Sequence, residues 1–332
     1  MPITVAVDAM GGDDAPGVVV EGAVQAARSG GANLRVLLFG PAERIRPLLD
    51  RALNGEALPV ELHDAPDVIE MAESPSAAIK NKRRSSIHLG LAAHKADLAD
   101  AFVSAGNTGA VMAGALVILG RIPGVDRPSL VGFYPTTKGL ALLLDAGSNV
   151  DCKPEYLVQF GRMGSIYAER ILRAEKPTVG LINIGEEPGK GNAQAKSAYE
   201  LMREAYGIRF AGNVEGRDVM HHAADVIVAD GFVGNVMLKL GESITTALPH
   251  MAAQAMQRLK LGAEEQQLVG RVLSEIKRPF NYENYGGAPL LGVSGNVIIG
   301  HGGSTPRAIE RMIQAGAELA RQGVTEAVAE SF

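Results

Sequence analysis

The chain has no tryptophan, one cysteine, and only 5% aromatic residues among its 332. A single cysteine, Cys152, excludes an internal disulfide and any Cys-x-x-Cys site, and it fits a reducing compartment. Positive charge is in deficit: 32 Lys and Arg stand against 37 Asp and Glu, a formal net charge of -5. That balance argues against general nucleic-acid binding, although a local basic patch for an acidic partner remains available. Long apolar runs are missing too. The longest, after Gly109, is interrupted by Arg121, short of the ~20 residues a spanning helix needs. The start, Met1-Pro2-Ile3-Thr4-Val5, shows no basic region followed by an apolar core, so no signal peptide is expected. No internal repeat, low-complexity linker or domain boundary is visible. One domain over residues 1–332 is therefore expected, with a helical excursion at about 236–278.

What the chain does have is glycine, 40 of 332 residues, well above the usual ~7%. With 46% hydrophobic residues there is material for a sizeable core, and the glycines imply many tight turns. The short β-branched run Ile3–Val7 and the runs Leu34–Phe39, Leu58–Leu62, Thr178–Ile184, Ile208–Val214, Val226–Ala229, Leu290–Val293 and Val297–Gly300 read as strands. Most alternate with helical patterns. The runs Leu130–Tyr134 and Leu140–Leu144, split by Pro135 to Gly139, suit a hairpin. The expectation is a three-layer α/β/α fold with a mostly parallel, mixed sheet.

The strand ends carry Asp8, Asn107, Asp145, Asn183, Asn213, Asp230 and His301, nearly all near glycine. Ligands of open α/β sheets bind beyond the carboxyl ends of strands, so these turns are expected to share one cleft. The stretch Phe102–Leu119 is the model case. A short apolar approach meets Ser104-Ala105-Gly106-Asn107-Thr108-Gly109, then a helix apolar nearly all round. The turn suits either an anion at a helix start or a plain cap by Asn107 or Thr108. A helix opening at Pro75 carries Lys80, Lys82, Arg83 and Arg84, followed by Ser85 and Ser86. That run suits a solvated face, phosphate, or an acidic protein. The turn from Gly185 to Asn192 resembles a P-loop, but Gly185 to Gly189 is one residue short and Gly191 replaces the Ser or Thr. ATP hydrolysis is thus disfavoured, while Lys190 can still hold an anion. No Gly-x-Ser-x-Gly elbow, dinucleotide fingerprint or zinc spacing exists, and His221 and His222 are adjacent rather than i, i+4. Cys152 lies at a helix start, which favours a thiolate, but no histidine is near it in sequence and a structural role is preferred. The kit suits positioning an anionic substrate and stabilising an oxyanion. From Met237, apolar positions at steps of three and four mark a long amphipathic helix, closed by Gly262 and followed by a second helix.

The segments DAMGGDDAP, ESPSAAIKNKRRSS, SAGNTGA, LLDAGSNVDCKPEYLVQFGRMGSIYA, NIGEEPGKGN, GNVEGRDV and ADGFVGNVMLK resemble those of the PlsX-type phosphate acyltransferases, in order and over essentially the whole chain. Two departures are minor: His88 stands where the family has an apolar residue, and His301-Gly302-Gly303 is a loose version of its terminal His-Gly turn. The resemblance implies a fold similar to phosphotransacetylase and isopropylmalate dehydrogenase, with no metal or organic cofactor. It implies reversible transfer of a long acyl chain from acyl-acyl-carrier protein to inorganic phosphate, giving acyl phosphate for phospholipid synthesis. It also implies a cytoplasmic homodimer that touches the inner face of the membrane peripherally, and leaves open a contact with the downstream membrane acyltransferase. Short-chain phosphotransacylation with coenzyme A and a non-enzymatic membrane adaptor are the rival readings.

With that resemblance, Lys82, Ser86, Ser104, Asn107, Thr108 and Gly109 are the candidates for phosphate. Asn183 and Lys190 are assigned to the oxyanion, with Asp230 and His301 beside them in the catalytic set. Asp8, Gly11, Gly12, Asp13, Asp145, Asn213, Glu215 and Asn235 orient the donors. The acyl chain is expected along the helical pair. Arg83, Arg84, Leu248, Met251, Arg258, Leu259, Lys260 and Leu261 are the candidates for carrier-protein and membrane contact.

Overall fold

The computed structural model describes residues 2–332, and the backbone alone of Tyr282. Met1, the first residue of the stretch read for a leader, lies outside the described residues. The strands are β1 (Ile3–Asp8), β2 (Leu34–Gly40), β3 (Val60–Asp64), β4 (Ala101–Ser104), β5 (Ser129–Leu130), β6 (Gly132–Thr136), β7 (Gly139–Leu144), β8 (Thr178–Asn183), β9 (Arg209–Glu215), β10 (Val226–Val228), β11 (Ala288–Leu291) and β12 (Val297–Ile299). They form two sheets, and the chain forms two compact units with one sheet each.

The first unit comprises the chain up to Leu130, Ile166–Ala174 and Tyr285–Phe332. Its sheet has the order β3-β2-β1-β4-β12-β11-β5, parallel from β3 to β12, with β11 antiparallel to both neighbours. The central strands are near-continuous apolar runs because helices cover both faces. Phe102, Leu38, Ile87 and Leu91 are among the largest fully buried side chains. Each such side chain contributes about 1.5–3 kcal/mol of transfer free energy. The helices Gly17–Gly30 and Pro306–Arg321 pack closely: a Cβ on Gly22 would lie 2.5 Å from the Ile309 Cβ. The register pairs Val7 with Val103 and Ile299 with Ser104, so the carboxyl ends of β1, β4 and β12 come level.

The second unit comprises Val131–Ser165 and Glu175–Asn284. Its sheet order is β6-β7-β10-β8-β9. β6 and β7 form the antiparallel hairpin expected from the Pro135–Gly139 spacing, and the other pairs are parallel. Val228 pairs with both Leu144 and Leu181, which aligns the ends of β7 and β10, while β8 runs on to Asn183. The α/β class and mixed pairing are as the alternation implied.

Local departures have local causes. The basic run does not ride on one helix. A short helix, Pro75–Asn81, stops before Lys82, and a second, Ser86–Lys95, begins after Ser85 accepts the His88 N–H at 3.2 Å. Only Lys80 of the four cations is helical. The helix after Asn107 is brief, Thr108–Gly114, and widens into a π-type turn, Ala115–Leu119, ended by Gly120 at φ 86°. The helix opened by Pro154 ends at Arg170.

The long helix is Gly231–Leu259, running through Pro249, and its successor is Ala263–Lys277. In the first only Gly231, Gly234 and Gly241 are buried, and in the second none. Val236, Leu240, Met251, Leu259, Leu268 and Val272 are all more than half exposed. Among the described residues no helix is long and apolar enough to cross a membrane.

Candidate active-site residues

In the first unit the polar turns after β1 and β4 meet around one carboxylate. Asp8 is 2% exposed at the end of β1. Ser104 Oγ donates to its Oδ2 at 2.7 Å, the Met10 N–H donates to Oδ1 at 3.0 Å, and Ser86 supplies another bond. Burial pushes the Asp8 carboxyl above the usual carboxylate range, against the opposing pull of Ser104, Ser86 and Met10. Ser104 Oγ in turn accepts the Gly106 N–H at 3.0 Å. Glycine is required over this cluster by close approach. A Cβ on Gly11 would sit 2.6 Å from the Gly106 nitrogen and 2.7 Å from Asp8 Oδ2. Asp13 is exposed, and its N–H donates to the Gly302 carbonyl at 2.8 Å, joining the turn after β1 to the turn after β12. There the His301 ring faces its own loop, with the Gly303 N–H 3.3 Å from Nδ1.

Two of the phosphate candidates hold protein instead. Asn107 caps its helix, its Oδ1 accepting the Ala110 N–H at 3.0 Å. Its Nδ2 donates to the carbonyls of Glu70, Met71 and Glu73 at 3.0–3.3 Å. The amide therefore staples the 70–73 loop to the start of the helix. Lys82 Nζ donates to the Val68 carbonyl at 2.6 Å and pairs with the Glu73 carboxylate. The Glu70 N–H, then Lys82, hold the Glu73 carboxyl below its usual range. Gly109 packs under Pro75, where a Cβ would come within 2.6 Å of the ring. Thr108 is exposed at the first turn, and Ser86 and Ser104 are buried on Asp8.

The second unit repeats the design around Asp145, which is fully buried after β7. It accepts from Ser148 Oγ and the Asn149 N–H, both at 2.5 Å. Asp145 is also the packing floor for the long helix: a Cβ on Gly231 would be 2.7 Å from its Oδ2, and one on Gly234 only 1.9 Å from its carbonyl oxygen. Asp230 caps that helix by accepting the Val233 N–H at 2.8 Å. Asn235 follows within it, exposed and beside Gly147. Cys152 Sγ donates to the Asn149 carbonyl at 3.3 Å, and burial, with Asp145 next, pushes its thiol up to about 12. At neutral pH it is a protonated thiol, so the helix-start argument for a thiolate loses to desolvation.

Asn183 and Asn213, at the ends of β8 and β9, bond to each other at 3.0 Å. Asn183 also donates to the Lys190 carbonyl, and Asn213 to the Glu187 carbonyl. Like Asn107, they are staples for a loop. The Lys190 ammonium is half exposed, 3.8 Å from Glu187 of the same loop. Glu215 pairs with Arg217 at 2.9 Å. Between the starts of the helices Ala193–Glu204 and Gly231–Leu259 lies a pocket of ≈ 370 Å³. Its lining includes Leu157, Leu181, Ala195, Ala229 and Val233, with Asn183 and Asp230 at polar positions.

The predicted site residues thus fall into two groups. Lys82, Ser86, Ser104, Asn107, Thr108, Gly109, Asp8, Gly11, Gly12, Asp13 and His301 belong to the first unit. Asn183, Lys190, Asp230, Asp145, Asn213, Glu215 and Asn235 belong to the second. Arg83 and Arg84 are exposed in the first, and Leu248, Met251, Arg258, Leu259 and Lys260 are exposed on the helical pair, with Leu261 half-buried in the link between its helices. Missed from sequence were Glu73, the Lys82 partner, for which no local signal exists, and Ser148 with Asn149, which the Asp-x-x-Ser-Asn spacing could have flagged as a side-chain turn.

The chain matches the model of the "Fatty acid synthesis protein" family over residues 3–327. It is 55% identical over 328 residues to a protein of Salinibacter ruber named phosphate acyltransferase, covering 99% of this chain and 97% of that one. It is 45% identical to the phosphate acyltransferase of Chlorobaculum parvum, covering 98% of each. Among solved structures, a phosphotransacetylase from Streptococcus pyogenes superposes with a TM-score of 0.63 at 18% identity, over 96% of this chain and 94% of that one. A branched-chain phosphotransacylase from Enterococcus faecalis gives 0.59 at 14%, over 96% and 99%. These structural likenesses establish the fold, which is phosphotransacetylase-like. On its full-length relatives, the chain is an acyltransferase and belongs to the fatty acid synthesis protein family of PlsX-type phosphate acyltransferases.

Proposed function

We propose that the protein transfers a long-chain acyl group from acyl-acyl-carrier protein to inorganic phosphate, reversibly, supplying acyl phosphate for phospholipid synthesis. The observation that carries the reading is the full-length match to relatives named phosphate acyltransferase. In this reaction a phosphate oxygen attacks the thioester carbonyl carbon. The tetrahedral oxyanion collapses, the C–S bond breaks, and the thiolate leaves with the carrier protein. Phosphate is itself the nucleophile, and the leaving thiol has an ordinary pKa of ~8.5, so neither an activated side chain nor a strong acid is needed. The polar turns need only oppose anion repulsion and stabilise the oxyanion.

The first unit supports the phosphate end of this reading. Gly11 and Gly106 let the turns after β1 and β4 close on Asp8 and Ser104, and Thr108 and Gly109, at the first turn of the helix that follows, offer their backbone N–H groups. Asn107 and Lys82 act one step back, by holding the loop and the turn that border those groups. In the second unit the half-exposed Lys190 ammonium is offered to the oxyanion, while Asn183 and Asp230 act one step back, Asn183 by holding the Lys190 loop and Asp230 by capping the long helix. Arg83 and Arg84, exposed, are offered to the acidic carrier protein. The exposed apolar side chains of the helical pair suit peripheral membrane contact and a homodimer interface.

The test is direct. Acyl-acyl-carrier protein and acyl-coenzyme A of equal chain length are each offered with phosphate, and acyl phosphate is trapped with hydroxylamine. Product from the carrier-protein substrate alone, or strongly preferred, is expected. Preference for coenzyme A refutes the carrier-protein assignment, and absence of product from both refutes the reaction.

A further inference from the structure

The pocket of the second unit has a chemistry at odds with an anion site. It opens at two helix starts, where bare N–H groups would ordinarily draw a negative charge. Both starts are already capped. Asn192 Oδ1 accepts the Ala195 N–H at 2.8 Å, and Asp230 Oδ1 accepts the Val233 N–H at 2.8 Å. The Asp230 carboxylate at the rim would repel an anion. The floor is apolar: Leu157, Leu181 and Ala229 are 2% exposed or less, with Ile182, Ala195 and Val233 around them. A polar edge on an apolar floor suits an elongated hydrocarbon whose polar end stays outside.

We infer that this pocket, rather than the exposed helical pair, takes the thioester-proximal hydrocarbon of the acyl chain and so sets chain-length preference. The inference rests on the acyl-transfer reading above. A cavity of ~150 Å³ holds six-carbon benzene, so ≈ 370 Å³ has room for roughly fifteen apolar carbons. Asn183 and Asn192, with Ile184 and Gly191 next to them in sequence, form the polar edge of the lining, the place for the carbonyl end. Val233 and Ala195, one from each helix start, act as the gauge, because both line the space and neither is a cap.

Two pocket-filling variants, Val233→Phe and Ala195→Leu, and one enlarging variant, Ile182→Ala, test this in the full chain. The readout is the ratio of kcat/KM for hexadecanoyl over octanoyl thioesters, measured as trapped acyl phosphate. The filling variants are expected to lower that ratio about tenfold or more, since each methylene refused by a pocket is worth at least that. Ile182→Ala is expected to raise it. An unmoved ratio in every variant that retains the wild-type melting transition overturns the inference and leaves the acyl-transfer reading standing. If wild type turns over no thioester, the acyl-transfer reading fails instead. Calorimetric binding of dodecanoate then decides the pocket: binding weakened at least tenfold by Val233→Phe or Ala195→Leu supports it, and equal binding by wild type and variants overturns it.

Discussion

Replacing Asp8 separates its two roles, as an acceptor and as a buried charge. In the native state it accepts from Ser104, Ser86 and Met10 while 2% exposed. Asp8→Ala strips the acceptor from buried donors. Each orphaned donor costs about 1–3 kcal/mol and neighbours do not add fully, so a loss of about 2–5 kcal/mol is expected. Asp8→Asn keeps the shape and one oxygen, and the serine hydroxyls can turn to accept from its amide, so its cost at low pH is about 1 kcal/mol. The two variants part company with pH. The folded carboxyl of Asp8 lies above the ordinary aspartate value of 3.8 because burial disfavours the charge. Below pH 3.8 both states hold the proton and no linkage operates. As pH rises from there toward the folded value, the unfolded chain releases its proton first, and the wild type loses up to about 1.4 kcal/mol per pH unit on this account. Asp8→Asn has no such loss. Urea denaturation of wild type and Asp8→Asn, followed at half-unit steps from pH 3.5 to 7, is the assay. The stability gap between them should shrink, or reverse, as pH rises. A gap that widens with pH would mean an ionised carboxylate favoured by the fold, and would refute the assignment of desolvation as the dominant effect.

Two further predictions follow from the staples and the core. Asn107→Ala removes a helix cap and leaves the carbonyls of Glu70, Met71 and Glu73 without their shared donor, so a loss of about 2–3 kcal/mol is expected, with a raised KM for phosphate. Asn107→Asp keeps the cap and should recover about 1 kcal/mol in urea melts; an unchanged KM for phosphate in both would show that the 70–73 staple does not serve the phosphate end. His94 is held neutral by burial, its Nδ1 2.7 Å from the Ala99 carbonyl and its Nε2 accepting the Asn296 N–H at 2.9 Å. Its pKa is lowered from 6.5, so its contribution is complete above that value and is lost as pH falls below it. His94→Gln should abolish that part of the acid sensitivity in thermal melts, and an identical pH profile would count against it.

Most elements were legible because their causes are local. Short apolar runs flanked by glycine turns made β1, β2 and β8 readable, and Pro135 to Gly139 made the β6–β7 hairpin readable. The long amphipathic helix declared itself by steps of three and four. The break at Lys82–Ser85 did not, because a helical reading of the basic run missed that Ser85 is a cap and that Lys82 turns back to Glu73 and Val68.

The polar turns at strand ends, the glycine beside them and the family resemblance were properties of the sequence by itself, because turn chemistry depends on residue type at short range. Which polar atoms remain free for a ligand was a tertiary matter. Asn107, Asn183 and Asn213 spend their amides on carbonyls or amides tens of residues away along the chain or across a neighbouring loop. Two sheets rather than one, and an apolar pocket beneath two capped helix starts, likewise depend on which strands pair and which side chains face each other. Such pairings join residues far apart in sequence, and short-range pattern carries no record of them.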